Sequence, residues 1–177
     1  TMRFIALLLA SAAAVSFGTI RPPARSPCAS DNGGLKLPTG FCATLFADSL
    51  TAPRHMAVAA NGDVIVGLRG TRSASGTVPG GVAILRDADG DGRAEARNKF
   101  GEFAATEVRL VGTSLYTESG GAILRYTLPA GAMAPSGAPD TIVSGLPANG
   151  SHTAKTFVVL GDFIYVNHGS GTNACQE

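Results

Sequence analysis

The sequence predicts an all-β chain organised as part of a β-propeller, and three observations predict it. Twenty-three glycines and ten prolines among 177 residues are spread between short apolar runs. That composition suits many tight turns, and a helical protein would rarely tolerate it. The runs themselves are strand-sized and flanked by Gly, Asn, Asp and Ser. Most telling, they repeat. HMAVAANGDVIVGL (55–68), TEVRLVGTSLYTES (106–119) and HTAKTFVVLGDFIYVNHG (152–169) share one order: polar residue, apolar strand, glycine turn, second apolar strand.

The chain opens with Met2-Arg3 and the apolar stretch FIALLLASAAAV (4–15), which ends in small residues. This reads as an export signal over residues 1–18, too short to span a bilayer as a mature helix. The alternative is a buried N-terminal helix. A linker (19–36) and the blades (37–177) follow, and a periplasmic or secreted location is expected. An exported chain meets an oxidising compartment. Cys28 and Cys42 can close a small loop, which by chain entropy is worth roughly 3 kcal/mol. Cys175 is left over, which suggests a missing partner or a free thiol; a partner beyond the end of the chain is the simplest expectation. With 14 basic against 13 acidic residues, no charged stripe argues for nucleic acid.

Each repeat continues beyond its first two strands. GGVAILRDA (80–88) matches GGAILRYTL (120–128) as a third strand. TLFADSL (44–50), RNKFGEF (97–103) and DTIVSGL (140–146) read as outer strands. Four strands every ~40–50 residues is the spacing of propeller blades. A blade buries its faces only against its neighbours, so one alone is not stable. Two full units and the start of a third are present, where rings close with four to eight. The chain is therefore expected to be an N-terminal piece of a longer protein. A small β-sandwich of the same strands is the alternative.

DADGDGRAE (87–95) sets Asp87, Asp89 and Asp91 at alternate positions before Gly92. Such carboxylates can wrap a hard cation such as Ca²⁺ in a structural role. Position twelve of an EF-hand would be Asn98 here, so this is no EF-hand. Asp-Gly-Asp-Gly is equally a hairpin turn.

In a propeller, the residues entering each first strand and those leaving each second strand meet at one mouth. Here these are Arg54, His55, Thr106, Glu107, His152 and Lys155, with Arg69, Glu118, Asn167, His168 and Asn173. Ionisable groups converging on a concave mouth suit a small-molecule site. For most of them singly, the competing reading is a solvated side chain at a loop end.

Four segments in order bring a family into view. GLKLPTGFCATLFADSLTAPRHMAVAANGDVIV (34–66), AILRDADGDGRAE (83–95), ILRYTLPAGAMAPSGAPDTIVSGLP (123–147) and HTAKTFVVLGDFIYVNHGSGTNACQ (152–176) resemble the soluble glucose/sorbosone dehydrogenases, the sorbosone branch above all. The resemblance implies an exported six-bladed propeller carrying pyrroloquinoline quinone (PQQ) with an associated Ca²⁺. It also implies a sugar or aldehyde substrate and an electron acceptor such as a quinone or cytochrome. His152 matches the family's general base, a role that suits imidazole near neutral pH. Lys155 and Asn173 match places that contact the cofactor. The sequence departs from the pattern near Gly171, where glucose-oxidising members carry a glutamine, and at Glu107 and Arg109, where relatives carry small or apolar residues. A Glu107 facing an anionic cofactor would need a basic partner such as Arg54 or Lys155. Two rivals remain: a metal-dependent propeller lactonase using carboxylates such as Glu107 and Glu118, and a non-catalytic binding propeller.

Overall fold

The computed structural model describes residues 28–173. The expected export signal and Cys175 lie outside them. Among the described residues, ten strands form three antiparallel sheets. The first contains β1 (Pro53–Val58), β2 (Val64–Ser73), β3 (Gly76–Arg86) and β4 (Ala96–Phe100), hydrogen-bonded in that order. The second repeats the arrangement with β5 (Val108–Val111), β6 (Ser114–Ser119), β7 (Ala122–Thr127) and β8 (Ser136–Val143). β9 (Lys155–Leu160) and β10 (Phe163–His168) form a two-stranded third sheet. Sequential four-stranded meanders are the blades that the repeat predicts. No helix among the described residues is long and apolar enough to cross a membrane.

The turns fall where the repeat puts them. Val111 pairs with Ser114 across the two-residue loop Gly112-Thr113, and Leu160 with Phe163 across Gly161-Asp162. Gly112 takes φ 60°, the left-handed value that a two-residue hairpin asks of its first turn position. Register then decides the faces, since successive side chains alternate. Ile65, Val82 and Ile84 of the first sheet pack with Val108, Leu115 and Tyr126 of the second, together with Ala105 and Leu128. Leu115, Ile65 and Ile84 are fully buried. Each such side chain contributes about 1.5–3 kcal/mol of burial. On the opposite face, Val66, Leu68, Ala83 and Leu85 form a second cluster covered by Phe46, Ala47 and Leu50.

The inner strands lie side by side, β1 beside β5 and β5 beside β9. The His55 amide donates to the Thr106 carbonyl at 3.2 Å, and the Ala105 amide to the Leu68 carbonyl at 2.9 Å. Farther out, Asp63 is almost fully buried and receives a two-pronged guanidinium, Nε to Oδ1 at 2.7 Å and NH2 to Oδ2 at 2.6 Å from Arg86. The same NH2 reaches across to the Gly131 carbonyl in the β7–β8 connection of the second sheet at 2.7 Å. Arg86 holds the Asp63 carboxyl below the usual carboxylate range, outweighing the opposing effect of burial.

Two expectations need correction. Residues 44–50 are not a strand. They form an irregular strap, tied by the Ala94 amide to the Phe46 carbonyl at 2.8 Å and by Arg97 to the Asp48 carbonyl at 2.8 Å. Ser49 and Ala52 take positive φ (57° and 48°), which breaks extended pairing there. β2 and β3 also run past the apolar core as one long hairpin, with Arg72 opposite Thr77. β9 begins at Lys155, and His152 lies in the loop leading into it, where the repeat places it. Cys28 and Cys42 are joined as a disulfide.

Candidate functional site

Three separate parts of the chain wall one cavity of about 260 Å³. Arg54 at the start of β1 and Arg69 on β2 come from the first sheet. Thr106 and Glu118 come from the second, with Gly120 and Gly121 at its β6–β7 turn. His152 and Thr153 come from the loop entering β9. Convergence of residues far apart in sequence follows from the inner strands lying side by side.

His152 is held from behind. Its Nε2 lies 2.8 Å from Asn173 Oδ1. An amide oxygen only accepts, so Nε2 carries the proton and Nδ1 is left as the free acceptor. The 169–173 segment reaches that position because it packs tightly on the loop. The Ser151 amide donates to the Gly171 carbonyl at 2.8 Å. At Gly169, a Cβ would stand 2.6 Å from both the Cβ and the carbonyl oxygen of His152, so no larger residue fits.

Glu118 is the carboxylate of this cavity. It is almost fully buried, and its Oε2 accepts from the Thr106 amide at 3.3 Å. Burial pushes its carboxyl above the ordinary range, while the Thr106 amide and the Lys155 charge pull the other way. Arg54 and Arg69 make no side-chain hydrogen bond or ion pair among the described residues. A cavity with two unengaged guanidiniums is suited to an anion, and the planar fork matches carboxylates in particular.

The other predicted residues are distributed differently. Lys155 does not reach the cavity. Its side chain is fully buried behind the wall and its ammonium donates to the Thr153 carbonyl. Asn173 supports His152 and is not a lining residue. Glu107 does not face the cavity either. It is fully buried, with Oε2 2.6 Å from His55 Nδ1 and 3.4 Å from an Arg109 nitrogen. The basic partner that Glu107 needs is therefore supplied by His55 and Arg109, not by Arg54 or Lys155. Arg109 also donates to the Phe157 carbonyl at 3.0 Å, joining the second sheet to the third. Asn167 lines a separate groove with Tyr165 and Arg109. His168, exposed, pairs with Lys155 across the β9–β10 ladder.

Asp87, Asp89 and Asp91 come together in the β3–β4 connection, and Glu95 joins them. Their ligating oxygens all lie within 4.8 Å of one another. Glu95 is missed by a search for position twelve of an EF-hand, because it sits at position nine. The carboxylates also organise the turn itself: Asp87 accepts from the Gly90 and Gly92 amides at 2.6 and 2.8 Å. This loop follows Arg86, whose neighbour Leu85 pairs with Val64. Arg69 lies toward the other end of β2, next to Leu68, which pairs with Gly81. The acidic loop and the cavity thus lie at opposite ends of the first sheet. Among the described residues it is the one grouping of three or more metal-ligating side chains, and neither Glu107 nor Glu118 belongs to it.

No family model matches the chain, and no curated protein matches it. Solved structures do. The iodide structure of Trichoderma reesei Carbohydrate-Active Enzymes Family AA12 is similar with a TM-score of 0.57 at 19% identity, over 71% of this chain and 32% of that one. The holo form of the pyranose dehydrogenase PQQ domain from Coprinopsis cinerea is similar with a TM-score of 0.54 at 20% identity, over 69% of this chain and 29% of that one. The chain spans about a third of the length of the structures it matches. What the likeness establishes at this identity is the architecture: consecutive blades of a partial β-propeller.

Proposed function

We propose that the chain belongs to an exported quinoprotein oxidoreductase that oxidises a sugar or an aldehyde of the sorbosone type with PQQ. The observation that carries this reading is His152: an imidazole with one nitrogen fixed by Asn173 and the other free, on the wall of a cavity that also presents Arg54 and Arg69. The resemblance of segments 34–66, 83–95, 123–147 and 152–176 to the glucose/sorbosone dehydrogenases supports it, as does a fold shared with a PQQ domain.

The residues present fit the cofactor. Its carboxylates are anions, and Arg54 and Arg69 are cations without partners that would hold them. Lys155 acts from behind the wall, through its charge on Glu118, and not by direct contact. When bound, the quinone supplies a two-electron acceptor for the substrate's hydride. His152 Nδ1 takes the hydroxyl proton as the C–H bond breaks. Asn173 holds the Nε2 proton and so leaves Nδ1 as the acceptor. A Ca²⁺ ion held by Asp87, Asp89, Asp91 and Glu95 would be structural, stiffening a turn away from the chemistry. The electron acceptor downstream would be a quinone or a cytochrome.

The test is reduction of an artificial electron acceptor by the protein reconstituted with PQQ and Ca²⁺. Activity that depends on PQQ and disappears in His152→Ala, with the fold intact by circular dichroism, is expected. Dye reduction undiminished in His152→Ala would overturn the assignment of the base. Lactone hydrolysis needing only a divalent metal would overturn the reaction class.

A further inference from the structure

A second, larger cleft of about 710 Å³ adjoins the His152 cavity and shares Arg54, Arg69 and Ala104 with it. It continues along the long β2–β3 hairpin, where Arg72, Thr71 and Thr77 complete the wall. Its charge is unbalanced. Arg86, Arg97, Arg109 and Arg125 each pair with a carboxylate. Arg54, Arg69 and Arg72 make no side-chain hydrogen bond or ion pair among the described residues. One carboxylate, Glu102, lines the cleft against these three guanidiniums. Like charges gathered on one wall repel unless an anion lies among them.

The elements bringing them together are specific. Arg54 enters β1, and Arg69 and Arg72 sit on β2 past the apolar core, where the hairpin no longer buries hydrophobic side chains. The hairpin therefore adds nothing to the two hydrophobic clusters, while it does build a basic, hydroxyl-bearing wall leading to His152. Guanidinium forks bind carboxylates in a two-point, planar fashion, and threonine hydroxyls bond sugar hydroxyls.

We propose that this cleft takes the carboxylate of an acidic sugar, a uronate or an aldonate, with Arg72 as its specificity-determining contact and the reacting end of the sugar directed to His152. This rests on the oxidoreductase reading above. Arg54 and Arg69 stand between the two spaces, and Arg72 belongs to the outer one alone.

Isothermal titration of the PQQ-loaded protein with D-glucuronate, D-glucose and inorganic phosphate, at low ionic strength, tests it. PQQ uptake is followed separately by the absorbance of the quinone. Glucuronate is expected to bind at least about tenfold more tightly than glucose, and Arg72→Gln to remove about tenfold of that preference, as loss of one charge-assisted contact should. Arg72→Lys, which keeps the charge without the fork, should restore part of it. Arg72 makes no bond whose loss would unfold the chain, and a melting curve for each variant checks this. Equal binding of glucuronate and glucose, or a preference that survives Arg72→Gln, overturns the proposal while PQQ uptake leaves the oxidoreductase reading standing. Phosphate binding as tightly as glucuronate overturns it in favour of a general anion site. Failure to take up PQQ overturns the reading and the proposal with it.

Discussion

Leu115→Ala tests whether the first two sheets share one core. Leu115 is fully buried on β6, in a cluster that includes Ile65, Val82 and Ile84 of the neighbouring sheet. Removing its isobutyl end takes away the transfer energy of the lost carbons and leaves a cavity that a close-packed cluster fills only partly. Leu→Ala at such sites costs from about 2.7 to 5 kcal/mol, and about 3 kcal/mol is expected here. For a chain of this size that lowers the melting temperature by roughly 6–12 °C. Urea unfolding followed by circular dichroism gives the magnitude. Hydrogen exchange at the Ile65 and Leu124 amides then reports each sheet separately, and both should lose protection. Val111→Ala on the adjacent strand, at a half-exposed side chain (50%), should stay within about 0.5 kcal/mol. A Leu115→Ala cost under about 1 kcal/mol, or protection lost in the second sheet alone, would refute the shared core.

Other outcomes follow from particular contacts. Asp63 has its carboxyl lowered by Arg86, so its contribution is full above the unfolded value near 4 and fades as pH falls through the lower folded value. Asp63→Asn should therefore destabilise most at neutral pH, and its difference from wild type should shrink in acid unfolding curves toward pH 2; a constant difference would contradict this. Gly169→Ala places a Cβ 2.6 Å from His152 and should displace the imidazole by on the order of 1 Å. Dye reduction in the PQQ-loaded protein should then fall on the order of 100-fold, and unchanged turnover would tell against His152. Reducing the Cys28–Cys42 bridge, which spans 14 residues, should cost about 3 kcal/mol, read as a lower urea midpoint under thiol; an unmoved midpoint would show that the loop stays closed without it.

The strand units were legible because their period of two and their glycine turns are local signals. Val64–Leu68 and Val82–Leu85 alternate between two buried faces, and Gly112 and Gly161 fall at the predicted points. What the sequence hid was direction and company. TLFADSL is a short apolar run of strand length, yet Ser49 and Ala52 turn left-handed and make it a strap. Arg69 is expected to leave the second strand, yet the chain beyond it, Gly70–Ser73, pairs with Gly76–Pro79 as a hairpin because β2 and β3 are already in register. The mouth was correctly assembled from Arg54, Arg69, Thr106, Glu118 and His152. Lys155 and Glu107 were put on it because their spacing allows it. Their burial depends on His55, Arg109 and Thr153, contacts that no local pattern encodes.

The cavity's three walls come from different parts of the fold, the first two joined by backbone bonds such as His55 to Thr106 and the second and third by the Arg109 side chain. The turns and loops that tip each wall lie outside the shared core, so each can vary singly. A longer β2–β3 finger, a bulkier β6–β7 turn or a different loop ahead of β9 would each retune one side of the recess while the remaining two keep their geometry, so diversification here proceeds by facets.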